Sequence, residues 1–109
     1  TQADIEANIV SDHYFTAAEG AASKYILNRE GVADNPGEAP SEFSFTQLGL
    51  LTFCVLVLKN GFTVTGESAC ASSENFNAEI GRRIARENAV NKMWPLMGYA
   101  LKQDLHQAT

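Results

Sequence analysis

Cations, cysteines and long apolar runs are all scarce in this chain, and each shortage removes a class of protein. Eight Lys and Arg face 13 Asp and Glu, a formal charge of -5. Affinity for a nucleic acid polymer comes mainly from neutralising many phosphates, so no such partner is expected. Two cysteines, Cys54 and Cys70, do not build a disulfide framework, and no basic segment with an apolar core marks secretion. Free thiols and a cytoplasmic location are the expectation. The strongest apolar stretch, Leu48 to Leu58, is 11 residues long, against the roughly 20 that a membrane-spanning helix needs. It reads as a buried strand, and no membrane is expected.

Signs of catalysis are equally sparse. His13 and His106 stand alone, without the paired spacing of a metal site, and neither a phosphate-binding loop nor a dinucleotide fingerprint occurs. Gly66-Glu67-Ser68-Ala69-Cys70 lacks the second glycine of a nucleophile elbow. The chain is therefore expected to carry no cofactor and no metal, and not to be an enzyme.

What is present suits one small globular domain. The 109 residues are 45% hydrophobic, enough for a single core and not for two, so residues 1-109 are read as one domain. Charge is uneven. Residues 1-45 hold only Lys24 and Arg29 against eight acids, whereas residues 46-109 hold six cations and five acids. The net figure conceals a slightly basic C-terminal half.

The pattern along the chain indicates an α+β fold with a short N-terminal helix, an antiparallel hairpin or small sheet, and two C-terminal helices. Ile5, Ile9 and Val10 behind Asp4 and Glu6 predict an amphipathic helix over 1-13, with its acids near the positive end. A second helix is expected over 16-27. Gly31, Pro36, Gly37 and Pro40 among acids predict a flexible loop at about 28-45.

Leu50 to Lys59 and Phe62 to Ala69 flank Asn60-Gly61, a strong hairpin signal. A two-residue type I′ turn sets Val57 opposite Val64, Leu56 opposite Thr65 and Cys54 opposite Glu67. Alternation then gathers Phe53, Val55, Val57, Phe62 and Val64 on the core face. Cys54, Leu56 and Leu58 fall on a mixed face with Thr63, Thr65 and Glu67, and Cys54 and Cys70 point to opposite sides. A helix begins near Glu74 or Asn75, where Ser72, Ser73, Asn75 and Asn77 offer cap chemistry. Trp94-Pro95 should end or bend it, before a last segment over 96-105.

Arg82, Arg83 and Arg86 crowd one stretch of that helix. Glu79 and Glu87 lie four residues either side of Arg83 and neutralise it, whereas Arg82 and Arg86 stack as like charges. Two guanidinium forks at this spacing suit a phosphate. A solvated helix face is the plainer reading. Thr65, Asn77 and Phe76 are candidates for lesser ligand contacts by hydrogen bond or stacking, although asparagines near helix ends more often cap and aromatics more often pack.

Lys59-Asn60-Gly61-Phe62-Thr63-Val64-Thr65-Gly66-Glu67-Ser68, Asn77-Ala78-Glu79-Ile80-Gly81-Arg82-Arg83-Ile84-Ala85 and Trp94-Pro95-Leu96 together carry a family resemblance. Over roughly residues 3-20 and 46-105 the chain resembles the small tailed-phage proteins of the podophage gene forty-nine / gene sixty-six type. That family is related to the first Thoeris anti-defence proteins, which sequester nucleotide immune signals. The resemblance implies a sponge in the host cytoplasm for cyclic ADP-ribose isomers, and with them cyclic oligonucleotides, bound without cleavage. It also implies a homo-oligomer, a dimer or higher, with Arg82 and Arg86 on the ligand phosphates and Arg83, Thr65, Asn77 and Phe76 as further contacts. The acidic N-terminal half favours an alternative, a small phage module that binds a host protein.

Overall fold

The structure is a computed structural model that describes residues 1-29 and 39-109. Its elements run α1 (Gln2–Asn8), β1 (Ile9–Thr16), α2 (Ala17–Arg29), α3 (Glu42–Leu48), β2 (Leu51–Leu58), β3 (Thr63–Ala69), a 3-10 turn (Ser73–Asn75) and α4 (Ala78–Ala108). The three strands form an antiparallel sheet in the order β1-β2-β3. The fold is α+β as expected, but its arrangement differs from the expected one in four places.

The N-terminal helix ends at Asn8, not His13. Thr1 and Asp4 close a capping box at its start. At Ile9-Val10 two β-branched residues begin a strand instead of a further turn. Pairing with β2 decides the matter, and a bulge between Ile9 and Ser11 leaves Val10 exposed. Ile9 and Tyr14, of opposite parity, then both pack against the core. Thr16 and Glu19 exchange backbone and side-chain hydrogen bonds of 3.1 and 2.9 Å, which turns the strand into α2.

The hairpin forms, with its register shifted by one. Val57 pairs with Thr63, Leu56 with Val64 and Cys54 with Gly66. A type I′ turn needs positive φ at both Asn60 and Gly61, yet only Gly61 has it, at 89°. The chain instead makes a three-residue loop. The Gly61 amide donates to the Leu58 carbonyl, and the Leu58 amide donates to that of Phe62 across the loop's end. Asn60 Oδ1 accepts from the Phe62 amide at 2.9 Å.

That single slip exchanges the faces. Cys54, Leu56, Leu58 and Val64 are buried, whereas Phe53, Val55 and Val57 are half-buried and Phe62 is exposed. The expected core face is thus the open one. Cys54 and Cys70 are both free thiols, but not because they face opposite ways. The Cys70 amide pairs with the Leu50 carbonyl, four residues and about 13 Å along the sheet from Cys54.

The C-terminal helix is one element of 31 residues, not two. Asn77 caps it by accepting from the Ile80 amide at 3.1 Å. Pro95 sits inside it. Pro95 and Asn91 are both exposed, so water can take the Asn91 carbonyl that the proline leaves without a donor. Gly81, Ala85, Ala89 and Met93, four residues apart, are buried against the sheet. A Cβ added at Gly66 would overlap the Ala85 carbonyl and the Ala89 amide. Helix and strand backbones touch there, which only glycine on the strand and alanine on the helix permit. Ile5, Leu56, Leu58, Val64, Val90 and Met93 complete this core.

The expected loop at about 28-45 is partly helical. α2 extends to Arg29, and α3 begins after Ser41, whose side chain accepts from the Ser44 amide. The rest of that expectation, residues 30-38, lies outside the described residues.

Candidate functional site

The three arginines of α4 have three different surroundings. Arg86 reaches across to α1, where Nη1 and Nη2 donate to Glu6 Oε1 and Oε2 at 3.0 and 2.8 Å. This bidentate pair holds the Glu6 carboxyl below the usual carboxylate range and pushes the guanidinium still higher. Arg83 lies 4.0 Å from Glu87, with both side chains about two-thirds exposed, a geometry worth little in water. Arg82 makes no ion pair or side-chain hydrogen bond among the described residues. Glu79 pairs with neither Arg82 nor Arg83 there.

Arg82 opens into a recess of about 300 Å³ between β1, β2 and the start of α4. Tyr14 and Phe76 supply aromatic walls, and Thr16, Glu19 and Thr52 line the rest. Phe15 borders it, but its ring stacks on Phe53 at 5.7 Å on the open face of the sheet. Glu19 is committed to the α2 cap through the Thr16 amide. The Tyr14 hydroxyl donates to Asp12 Oδ2 at 2.9 Å, and burial with that contact pushes its pKa above the usual tyrosine value, so it stays a neutral donor.

A second, more apolar recess of about 150 Å³ adjoins it. Leu50, Phe76, Ile80 and Ile84 wall it, and Thr52 and Gly81 lie at its base. Thr52 is 3% exposed, and its hydroxyl has no hydrogen-bond partner among the described residues. Thr52 and Phe76 line both recesses.

The candidates from the sequence therefore divide. Arg82 and Phe76 come together, and Asn77 borders the apolar recess. Arg83 and Arg86 line another hollow, with Gln2, Val90 and Trp94. Thr65 is exposed on the sheet face away from α4. Sequence reasoning missed Thr52, Tyr14 and Gly81. Thr52 carried a signal, as the one hydroxyl inside the apolar run, but its facing needed the correct register.

Among the described residues no His, Cys, Asp and Glu cluster could hold a metal ion. No helix there is long and apolar enough to cross a membrane. His13 Nε2 lies 3.0 Å from Ser11 Oγ on the exposed face of β1, a contact between near neighbours on one strand.

A small α+β domain with one long helix laid on a three-stranded sheet, and a cation-bearing aromatic recess at that helix's start, is the class these features define. Residues 1-105 match the model of the Phage protein (N4 Gp49/phage Sf6 gene 66) family, and the chain belongs to that family. Comparison with curated proteins and with solved structures finds no match.

Proposed function

We propose that this phage-family protein binds and sequesters a small phosphate-bearing nucleotide signal without cleaving it, in the cytoplasm of the infected host. The observation that carries the reading is Arg82, a guanidinium with no acidic partner among the described residues, facing a recess with two aromatic walls, Tyr14 and Phe76. A cation beside π-faces suits a ligand that joins an anion to a flat ring. The resemblance to Thoeris anti-defence proteins supplies the ligand class, cyclic ADP-ribose isomers or cyclic oligonucleotides. Arg86 joins the phosphate contact only by giving up Glu6.

A sponge must compete with a receptor, which asks for roughly nanomolar binding, about 12 kcal/mol. A half-open recess rarely supplies that, and a second copy of the chain would help to enclose it. Leu96, Tyr99, Leu101 and Leu105 are exposed on α4 beyond the sheet, a surface that a homodimer or larger assembly would bury. Light scattering is expected to give at least twice the 11.8 kDa of one chain; a monomer at micromolar concentration would count against enclosure.

The function is tested by incubating the protein with cyclic ADP-ribose isomers and cyclic oligonucleotides, removing free ligand, denaturing and analysing what is released. Intact ligand is expected. Altered ligand would make the chain an enzyme, and empty protein would remove the nucleotide reading. Arg82→Ala should weaken retention by at least about 1.5 kcal/mol, the lower range for a charge-assisted hydrogen bond. Loss of retention with a matching fall in melting temperature would mean that Arg82 holds the fold.

One observation favours the alternative of a module that binds a host protein. Phe43 and Phe45 of α3 are 75% and 44% exposed, and α3 buries no residue. If no nucleotide is retained, this helix is the first place to seek a protein contact.

A further inference from the structure

The recess under the start of α4 holds an orphan. The Thr52 hydroxyl is buried on the central strand with no partner among the described residues, a situation that costs about 1-3 kcal/mol in a folded protein. A Cβ at Gly81 would stand 3.0 Å from that oxygen and 3.9 Å from the Phe76 ring. Glycine therefore keeps open the space that the hydroxyl borders. Much of the polar rim is already satisfied within itself. Asn77 caps α4, Asn75 Nδ2 donates to Ser72 Oγ at 3.2 Å, and the Cys70 thiol donates to the Ser72 carbonyl at 3.2 Å. Ser68, opposite Thr52 in the register, also lines the recess, but among the described residues it is the Thr52 hydroxyl that is fully buried without a partner.

Size and lining narrow the class. A cavity of about 150 Å³ walled by Leu, Ile and Phe has room for one six-membered ring. Here the walls are Leu50, Phe76, Ile80 and Ile84, with the buried Thr52 hydroxyl at the base and Ser68 beside it. Phe76 and Thr52 also face the Arg82 recess, so a ring held here can carry an anion that reaches the guanidinium.

The geometry points to a ring subsite: the recess takes a six-membered nitrogen heterocycle of the pyrimidine type, hydrogen-bonded by the Thr52 hydroxyl and covered by Phe76, with its anionic substituent directed to Arg82. The anion contact rests on the function proposed above. The ring contact stands on Thr52 and Gly81 alone.

Uridine 5′-monophosphate is the probe, with ribose 5-phosphate as the ring-less control, and Cys70 at the rim as the reporter. Cys54 is buried and its thiol is pushed up by desolvation, so native-state alkylation should read Cys70. Uridine 5′-monophosphate is expected to slow that labelling, and ribose 5-phosphate is not. Thr52→Val keeps the shape and deletes the hydroxyl. It should weaken binding of uridine 5′-monophosphate about 3- to 10-fold, the range of one neutral hydrogen bond, while leaving the melting temperature unchanged or higher. Gly81→Ala should abolish the protection.

Three results would overturn the subsite: no protection of wild-type protein at millimolar uridine 5′-monophosphate, equal protection by ribose 5-phosphate, or unchanged affinity in Thr52→Val. Arg82→Ala separates the two readings. If it releases both probes while Thr52→Val changes nothing, the anion site stands and the ring subsite falls. If Thr52→Val weakens uridine 5′-monophosphate and Arg82→Ala does not, the ring subsite stands and the anion contact falls.

Discussion

Up to Met93, α4 is seated on the sheet by buried Gly81, Ala85, Ala89, Val90 and Met93; beyond it, the same helix buries no residue fully, and only Met97 still packs in part against the core. Trp94, Leu96, Tyr99, Leu101 and Leu105 are 42-72% exposed. The two halves differ in what holds them. The first is a helix because its small-residue face meets a strand backbone, and packing supplies the free energy. The second continues from an anchored turn, since an isolated helix of that length is marginal in water. Apolar content alone therefore does not distinguish core from surface in this chain. Small residues where backbones must meet are the better guide.

The harshest way to break this contrast is at the point of contact. Gly66→Ala would drive a methyl group into the Ala85 carbonyl and Ala89 amide, and should cost about 3 kcal/mol or more, the upper end for overpacking. Denaturant melts would read it. A neutral result would mean that α4 does not lie on β3.

A matched pair of truncations sharpens the comparison. Met93→Ala empties a fully buried site and should cost about 2-5 kcal/mol. Tyr99→Ala, at 72% exposure in the single chain, should stay within about 0.5 kcal/mol at a dilution that separates the copies. If Tyr99→Ala destabilises as much as Met93→Ala at high protein concentration and not on dilution, the distal half is buried between copies.

The tie between the proximal half and α1 is smaller. Glu6 and Arg86 are 44% and 31% exposed, so after solvent screening Glu6→Gln should cost about 0.5-1 kcal/mol. The pH dependence has a definite sign. The Glu6 carboxyl is held down in the folded chain, chiefly by its hydrogen bonds to Arg86. Its contribution is complete above the usual carboxylate range and is lost as pH falls through the folded value. Melts of Glu6→Gln and wild type should converge in acid; a constant gap down to full protonation would assign the loss to packing.

The smallest change in stability is expected at Pro95→Ala. It restores a hydrogen bond within the exposed half, so helicity by circular dichroism and amide protection over 91-108 should rise. The melting temperature should move little, because that half adds only the partly buried Met97 to the packed unit. A large rise would show that the halves unfold together.

Much of the architecture was legible in residue patterns, and the misses share a cause. The hairpin at Asn60-Gly61, the helix carrying Arg82 and the unpaired cysteines follow from local chemistry. Strand β1 was hidden because Ile5, Ile9 and Val10 also fit a helical stripe, and only β2 chose between the readings. Pro95 was read as a break by rule, whereas its exposed position made it tolerable. Of the site, Arg82 and Phe76 were visible as residue types. Thr52 was not, because one residue of register decides which side of the sheet a hydroxyl faces.

By itself the sequence determined the class of fold, the loop glycine at Gly61, a set of cap residues from which Asn77 is the one used, and a cluster of cations on one helix in an acidic chain. These depend on propensity, φ and spacing, which act within a few residues. Tertiary structure alone decided which face of the sheet is the core, which arginine is spent on Glu6 and which stays open, and that a buried threonine lacks a partner. Each of those depends on what arrives from a distant part of the chain: Glu6 lies 80 residues from Arg86, and no local pattern records such a meeting.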